Sequence, residues 1–505
     1  MVKGHGEDVI ASEDLSELPE GWDVVRFDTL VSPSREKVEP ADCPGVPYLS
    51  LEHLKSGGYC LDGRGQASDV RSTKTVFHTD DVLYGKLRPY LNKVWTAEFD
   101  GVCSTDILVF PRSESVLPKF LAWWLGLPEN VEYATAHSKG NSLPRVSFSD
   151  LGVLTMPLVP LAEQKRIVAK VEELLTRVNA VRERLGRVPT ILKRFRQSVL
   201  AAACYGRLTE EWREKHPDTE PASALMKRVC GARSLGNVAR DGQVEIPDTW
   251  AWLSVDQICA KIVDCPHSTP KWTETGEVCL RTTNFRPGAL DLSDVRHVSP
   301  ATFAERTTTL LPEAGDVLYS REGGILGIAC VIPAGARVCL GQRMMLMRTN
   351  HRILVSDFLM SVLNSSIILR LVRELTGGTS SPHLNVGDIR RFQIPLPPPG
   401  EQREIVRRVE ALFQLADDIE KRVKSATARA ERLTQSILAK AFRGELVPTE
   451  AELARQEGRT FEPASVLLER IMSARATLDG GSGAPRTRRA ANRKRQDSTS
   501  FGRSG

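Results

Sequence analysis

Beginning at Ile167, apolar residues recur at Val171, Leu174, Val178, Val181, Leu185, Val188, Leu192, Phe195, Val199 and Ala202, alternating steps of four and three. That is the spacing of a heptad seam, and it predicts a long helix with one narrow apolar stripe. A second stripe in the same register runs through Ile405, Val409, Leu412, Ala416, Ile419, Val423, Ala426, Ala430, Leu433 and Ile437. Prolines before the pairs Glu163-Gln164 and Glu401-Gln402 fit helix starts: proline lacks the amide that a first turn leaves unused, and the glutamates complement the positive end of the helix dipole. Pro189, preceded by Gly186, predicts a kink or break in the first helix only. About 40 residues at 1.5 Å each span roughly 60 Å, so each seam needs a partner. The nearest is the other copy, and because the first helix leads into the module from which the second departs, antiparallel packing is the economical choice. The expected molecule is elongated and pseudo-twofold, with a globular module at each end of a two-helix rod. Seams buried between separate chains are the alternative.

Outside the stripes the pattern shortens to strand-like runs such as Ile107-Leu108-Val109-Phe110 and Met344-Met345-Leu346-Met347, with apolar helices near 120–127 and 358–371. The chain is also written twice. Leu18-Pro19-Glu20-Gly21-Trp22 returns as Ile246-Pro247-Asp248-Thr249-Trp250, and Asp81-Val82-Leu83-Tyr84 returns as Asp316-Val317-Leu318-Tyr319. Residues 157–174 align without gaps on 395–412 with ten of eighteen positions identical, which sets chance similarity of two amphipathic helices aside. Glu220-Pro221-Ala222-Ser223 and Glu462-Pro463-Ala464-Ser465 close the two halves alike. The predicted class is α/β (α+β), with two globular modules, two long antiparallel coiled-coil helices and an internal pseudo-twofold repeat. The expected divisions are a flexible N-terminus 1–17, first module 18–155, first helical region 156–206 and a linker with a short helix 207–245. They continue as second module 246–393, second helical region 394–446, C-terminal helical segment 447–479 and a basic disordered tail 480–505.

Charge changes this picture little. The 505 residues carry 68 Lys+Arg against 63 Asp+Glu, a net of +5, but Ala484–Gly505 alone contributes seven basic residues and one Asp. The body is therefore close to neutral, and a nucleic-acid argument has to rest on local clusters. The ten cysteines include no Cys-x-x-Cys pair, and neither an apolar signal core nor a run of about 18 apolar residues occurs. Reduced thiols and a soluble, cytoplasmic protein with no membrane association are expected.

With its repeated PLxPxxEQ helix starts, its RQSVLAAACYGRL and TQSILAKAFRGEL helix ends and its closing EPAS segments, nearly the whole chain resembles the DNA-specificity subunit of type I restriction-modification systems. GKLRPYLNKV at 85–94, DCPHSTPKW at 264–272, GDVLYSREGG at 315–324 and LGQRMMLMR at 340–348 look like motifs of that family's target recognition domains. The resemblance implies two target recognition domains, each reading half of a split double-stranded DNA site, and helices that dock modification methyltransferase subunits, expected in two copies. A restriction/translocase subunit is a further candidate partner. S-adenosylmethionine, ATP and magnesium are expected on the partners and no cofactor on this chain. Pro189 and the basic tail depart from the family pattern. Alternatives are a specificity subunit of a methyltransferase-only or type IIB-like system, and a stand-alone DNA-bridging protein.

The residues make their own case for DNA. Lys86, Arg88 and Lys93, interleaved with Tyr84 and Tyr90, form a basic loop after a strand; arginine pairs bidentately with guanine, whereas lysine and tyrosine suit phosphate. A plain solvated loop is the competing reading. In the second module Arg281, Asn284, Arg286, Arg321 and Arg343 are comparable, with Asn284 suited to adenine, and His267 is either a donor to DNA or a turn residue satisfying its own loop. Ser138-Lys139-Gly140-Asn141-Ser142, with Arg145 behind it, and Thr376-Gly377-Gly378-Thr379-Ser380 are either amide-rich turns for phosphate or simple connectors. A nuclease reading of Asp150, Glu163 and Lys165 around magnesium is weakened by Arg403 at the duplicate of the lysine. Neither an Asn-Pro-Pro-Tyr nor an Asp-Pro-Pro-Tyr methylation motif occurs, and no GxxxxGK[ST] loop either, so no catalytic or metal-binding residue is assigned. Met344, Met345 and Met347 read as core strand residues.

Overall fold

The computed structural model describes residues 18–231, 245–377 and 382–480. The expected flexible N-terminus, Thr379, Ser380 and the basic tail from 481 lie outside the described residues. The chain forms two compact units, one from residues up to Glu183 together with those from Thr427, the other from Arg184 to Ala426. Each unit thus takes a module and a stretch of both long helices.

In the first unit Asp23–Arg26 pairs antiparallel with Thr155–Leu158, which brings the two ends of the module together at the start of the long helix. Between them lie an antiparallel three-stranded sheet, ordered Val94–Thr96, Val82–Gly85, Ile107–Phe110, and a five-stranded sheet in which Pro47–Leu49 and Gly101–Cys103 are parallel neighbours. Phe27 packs against Phe110, Trp124 and Phe148, joining the first sheet to helix Pro118–Leu125 in one buried cluster.

The second unit repeats the plan. Ala251–Ser254 pairs with Gln393–Leu396, and Cys259–Asp264 adds an edge strand to a sheet ordered Cys259–Asp264, Met344–Thr349, Val317–Ser320, Ala329–Val331. The three methionines are buried core residues of that sheet. The apolar run expected as one helix over 358–371 is two helices, Ser356–Leu363 and Ser366–Thr376. Asn364 separates them, its side-chain amide bonded to both the N–H and the C=O of Ala329.

The long helices are Leu161–Cys204 and Pro399–Phe442. Pro189 lies inside the first without breaking it, so of the expected kink or break the break does not occur. It sits on an exposed face, where water can satisfy the Leu185 carbonyl that loses its partner. Packing is antiparallel in each unit. In the first unit Arg166 reaches Glu450 at 2.6 Å and Arg182 reaches the Ala430 carbonyl at 3.4 Å; in the second, Arg196 bonds Asp417 and Glu420 at 2.6 and 3.0 Å. The seam is buried at Ile167, Val171, Leu192 and Val199, but Val181 and Leu433 are about half exposed. Beyond Ala430 the buried positions are Leu438, Ala441 and Phe442, so the second stripe drifts off its heptad register, as a straight 3.6-residue helix does.

Each helix start is locked by its Glu-Gln pair, and both glutamates are fully buried. Glu163 accepts from Trp22 Nε1 at 2.9 Å and from the Glu450 amide at 2.8 Å, while Gln164 bonds the carbonyls of Val159 and Ser115 and the Leu117 amide. Glu401 accepts from Trp250 Nε1, Thr209 Oγ1 and Arg213 Nη1, and Gln402 bonds the Pro397 and Ile353 carbonyls and the Val355 amide. The dipole argument alone does not account for these residues; they join the module to the helix.

Helix ends are duplicated too. Gly206 and Gly444 adopt φ of +72° and +75° just past the last helical turn, and a β-carbon there would collide with Pro247 and Pro19 respectively. Gly206→Ala and Gly444→Ala should each cost about 1–3 kcal/mol from backbone strain and overpacking, read as a lower urea midpoint. An unchanged midpoint would show that the proline contact yields freely. The described cysteines are free thiols, and burial pushes Cys103, Cys204, Cys259 and Cys330 up to about 12, which leaves them protonated and unreactive at neutral pH.

Candidate nucleic-acid interface

The strand Val82–Gly85 is buried along its whole length and leaves the core at Lys86. There its backbone is pinned on both sides: Lys86 N donates to the Asp106 carbonyl at 3.0 Å, Val146 N donates to the Lys86 carbonyl at 3.0 Å, and Arg88 N donates to the Pro144 carbonyl at 2.7 Å. Lys139 and Arg145 exchange a reciprocal pair of backbone bonds at 2.9 Å. Loop 86–92 and loop 139–145 are therefore held together, which brings Lys86, Arg88, Lys139, Asn141 and Arg145 into one neighbourhood. Arg88 sits at φ +53°, a left-handed conformation that costs a non-glycine residue of order 1 kcal/mol and recurs at functional sites. Its exposed side chain has no hydrogen bond or ion pair among the described residues, and the same is true of Lys86 and Lys139.

Other candidates in this module have partners. The Lys93 ammonium donates to the Leu51 carbonyl. Arg145 is held by Asp106, Nε to Oδ1 at 2.8 Å, although both side chains remain partly exposed. Tyr90 stands 53% exposed in the turn Pro89–Leu91. Both acids of the nuclease reading are taken up elsewhere, and Lys165 is exposed. Asp150 caps its own helical turn through Ser147, a hydrogen bond that lowers its carboxyl below the usual range, and Glu163 is spent on Trp22 and the Glu450 amide.

The second module repeats the frame with other side chains. Arg321 N donates to the Arg343 carbonyl at 3.0 Å, Leu384 N to the Arg321 carbonyl at 2.8 Å, and Gly323 N to the Pro382 carbonyl at 3.2 Å. Here several sequence candidates are corrected. Arg321 is 5% exposed and grips Asp264 with Nε and Nη2 at 2.8 and 3.0 Å, with Glu322 on Nη1 at 2.7 Å. Asp264 comes from the edge strand Cys259–Asp264, which the first module's three-stranded sheet lacks. Asn284 is 2% exposed, with both amide hydrogens committed to the Asp291 and Asp294 carbonyls and its oxygen accepting from Arg281 N, so it has no free donor for adenine. Arg281 pairs with Asp294 and Arg286 with Asp291, closing the same turn. His267 is exposed, 3.3 Å from Asp264. Arg343 stands apart: exposed, at φ +66°, with no side-chain hydrogen bond or ion pair among the described residues.

The residues that sequence reasoning passed over are the acids Asp106, Asp264 and Asp294. They decide which arginines stay free, and no local spacing links them to their partners.

Comparison with known proteins agrees with this architecture. A family model described as the type I restriction modification DNA specificity domain matches residues 286–427. The EcoBI type I restriction enzyme specificity subunit of Escherichia coli is 32% identical over 451 residues, covering 86% of this chain and 87% of that one. The EcoKI specificity subunit of Escherichia coli K12 is 31% identical over 355 residues, 68% of each chain. Among solved structures, the HsdS subunit from Thermoanaerobacter tengcongensis superposes with a TM-score of 0.51 at 24% identity, over 85% of this chain and 98% of that one. A chain from a study of complex assembly and conformational transition of the type I R-M system gives 0.60, also at 24% identity, over 85% and 99%. These two likenesses speak for the fold, and the identity and coverage of the curated relatives settle the family: the chain belongs to the DNA-specificity subunits of type I restriction enzymes.

Proposed function

We propose that this chain reads a bipartite double-stranded DNA site without catalysing any step, one half-site per module. In the first module the paired loops 86–92 and 139–145 face the duplex; in the second, the segments around 321–324, 343 and 382–384 do. Lys86, Arg88, Tyr90, Lys139, Asn141 and Arg145 serve the first half-site, and Arg343 and His267 the second. The long helices dock two modification methyltransferase subunits and, in a restricting complex, a restriction/translocase subunit. S-adenosylmethionine, ATP and magnesium chemistry then belong to those partners, in the cytoplasm. The observation that carries this reading is the duplicated backbone frame, which in each module holds an exposed arginine without an ion pair, Arg88 or Arg343, beside the end of a buried strand. Unpaired exposed cations are what phosphate and guanine recognition require.

The test is exchange. Residues 20–150 are replaced by the first module of another family member, the chimera is coexpressed with its modification subunit, and methylated sites are mapped across the genome. One half-site should change and the other persist; a change in both would overturn the modular reading. The purified chain should neither bind S-adenosylmethionine nor transfer its methyl group, and saturable binding of the labelled donor would contradict the division of labour.

A further inference from the structure

The two frames make the same backbone hydrogen bonds, in the register set by the repeat of Asp81–Tyr84 at Asp316–Tyr319. Lys86 matches Arg321, because each donates to the carbonyl of the residue just before a strand, Asp106 or Arg343. Arg88 matches Gly323, because each donates to the carbonyl of a proline, Pro144 or Pro382. Both positions are left-handed, at φ +53° and +88°. Glycine takes that conformation freely, whereas arginine is strained in it. On the strand side of the frame the second module has Arg343, left-handed at φ +66°, where the first has Asp106, which is not left-handed.

The Arg343 side chain runs over Gly323: a β-carbon built on that glycine would stand 3.3 Å from Nη1 and 3.7 Å from Cδ. The Arg343 guanidinium thus lies beside the loop position that Arg88 holds in the first module. Each frame carries one guanidinium without an ion pair at or beside its loop position, from residue 88 in one and from residue 343 in the other. Where arginine stands at the loop position, its counterpart on the strand side is an acid, Asp106, and that acid is neutralised by Arg145. Where the loop position is glycine, the strand side carries the arginine. Each layout leaves one free fork, and an arginine at both places would crowd the Arg343 guanidinium against the β-carbon of residue 323.

We propose that Arg88 and Arg343 are the equivalent specificity-determining residues of the two modules, each reading one guanine of its half-site by the bidentate pairing to O6 and N7. This rests on the reading of the modules as half-site readers. Guanine is the base whose major-groove edge offers two acceptors to a guanidinium fork. A left-handed backbone at the reader, retained despite its cost, aims the side chain out of the loop. The other exposed arginine of the frames, Arg145, is already bound to a carboxylate.

The experiment uses the full chain coexpressed with its modification subunit, with genome-wide methylation mapping and binding of the purified complex to duplexes differing at single base pairs. Glycine is the replacement of choice, since it relieves the backbone while removing the fork. Arg88→Gly should relax one guanine position of one half-site, and Arg343→Gly one guanine position of the other, each with discrimination falling roughly 10- to 100-fold. The double variant Gly323→Arg with Arg343→Gly moves the fork to the loop position, where the first module has it, and should restore discrimination at that position. Weakening on all sequences alike, with a flatter salt dependence, would mean phosphate contacts and overturn the proposal; so would relaxation at a position lacking guanine, or no relaxation at all. The module exchange separates the two failures. If it alters one half-site while neither arginine variant relaxes a base, the half-site reading stands and only the assignment of the readers falls.

Discussion

Glu401→Ala should destabilise the second unit by about 3–5 kcal/mol, the cost of breaking a buried pair from one side. The carboxylate is fully buried and accepts from Trp250, Thr209 and Arg213 at 2.8, 2.6 and 2.5 Å. Alanine would leave an indole N–H and a hydroxyl unmet and strand a guanidinium whose side chain is only 20% exposed. Glu163→Ala, at the matching position of the first unit, should cost less, about 2–3 kcal/mol, because it leaves only two unmet N–H donors. No cation is bonded to Glu163 directly; Arg166 bonds Glu450 instead. Burial pushes the Glu163 carboxyl up, against the opposing hydrogen bonds from the Glu450 amide and Trp22. A carboxyl raised in the folded state holds its proton more tightly there than when unfolded, so its contribution to stability weakens as pH rises through the folded value. Mild acid should therefore not weaken the Glu163 contribution, whereas the Glu450 carboxyl, its burial outweighed by Arg166 and Arg459, is lowered and gives up its contribution as pH falls through its folded value. Urea unfolding of the purified variants measures both costs, and equal losses at the two sites would show that the Arg213 pair adds nothing beyond the shared tryptophan bond.

Those junctions also show what a sequence discloses. The Glu-Gln pairs, the tryptophans and the helix-end glycines are visible as a repeat because each is written twice at nearly constant offset. The seams are visible because burial of one helix face imposes a period. Their middle stretch is not, because Val181 and Leu433 match the period while about half exposed, and only the course of the neighbouring helix decides that. Pro189 misleads for a similar reason: a proline's cost depends on whether water can reach the carbonyl it frees. The readers of the interface are the least legible. Arg321 and Arg343 look alike in sequence, but an acid 57 residues away takes the first and leaves the second. Asn284 looks like a base reader until the Asp291–Asp294 turn folds over it. Such pairings are long-range, and no local period encodes them.

Arg321→Ala separates these roles most sharply. Its guanidinium is buried and fixed to Asp264 by two bonds, with Glu322 on the remaining nitrogen. Removal would leave two neighbouring carboxylates without their cation in the middle of the frame that carries Arg343. The expected loss is about 3 kcal/mol, at the lower end for a broken buried pair because Asp264 is 28% exposed and water can take up part of its charge. Arg321→Lys should recover little, since a single ammonium cannot match a carboxylate with a planar fork. The loss should appear as a lower urea midpoint with an unchanged slope, and the variant complex should lose affinity for its whole second half-site rather than discrimination at one base. Arg343→Gly should do the reverse, moving the midpoint by less than about 1 kcal/mol, as expected for an unpaired surface side chain, while relaxing a single position. If Arg321→Ala kept its midpoint and relaxed one base pair, Arg321 would be a reader after all, and the Asp264 pair would be a resting contact that DNA displaces. The slope of affinity against salt tells those cases apart, because a guanidinium already neutralised by carboxylates displaces no counterions from the phosphates.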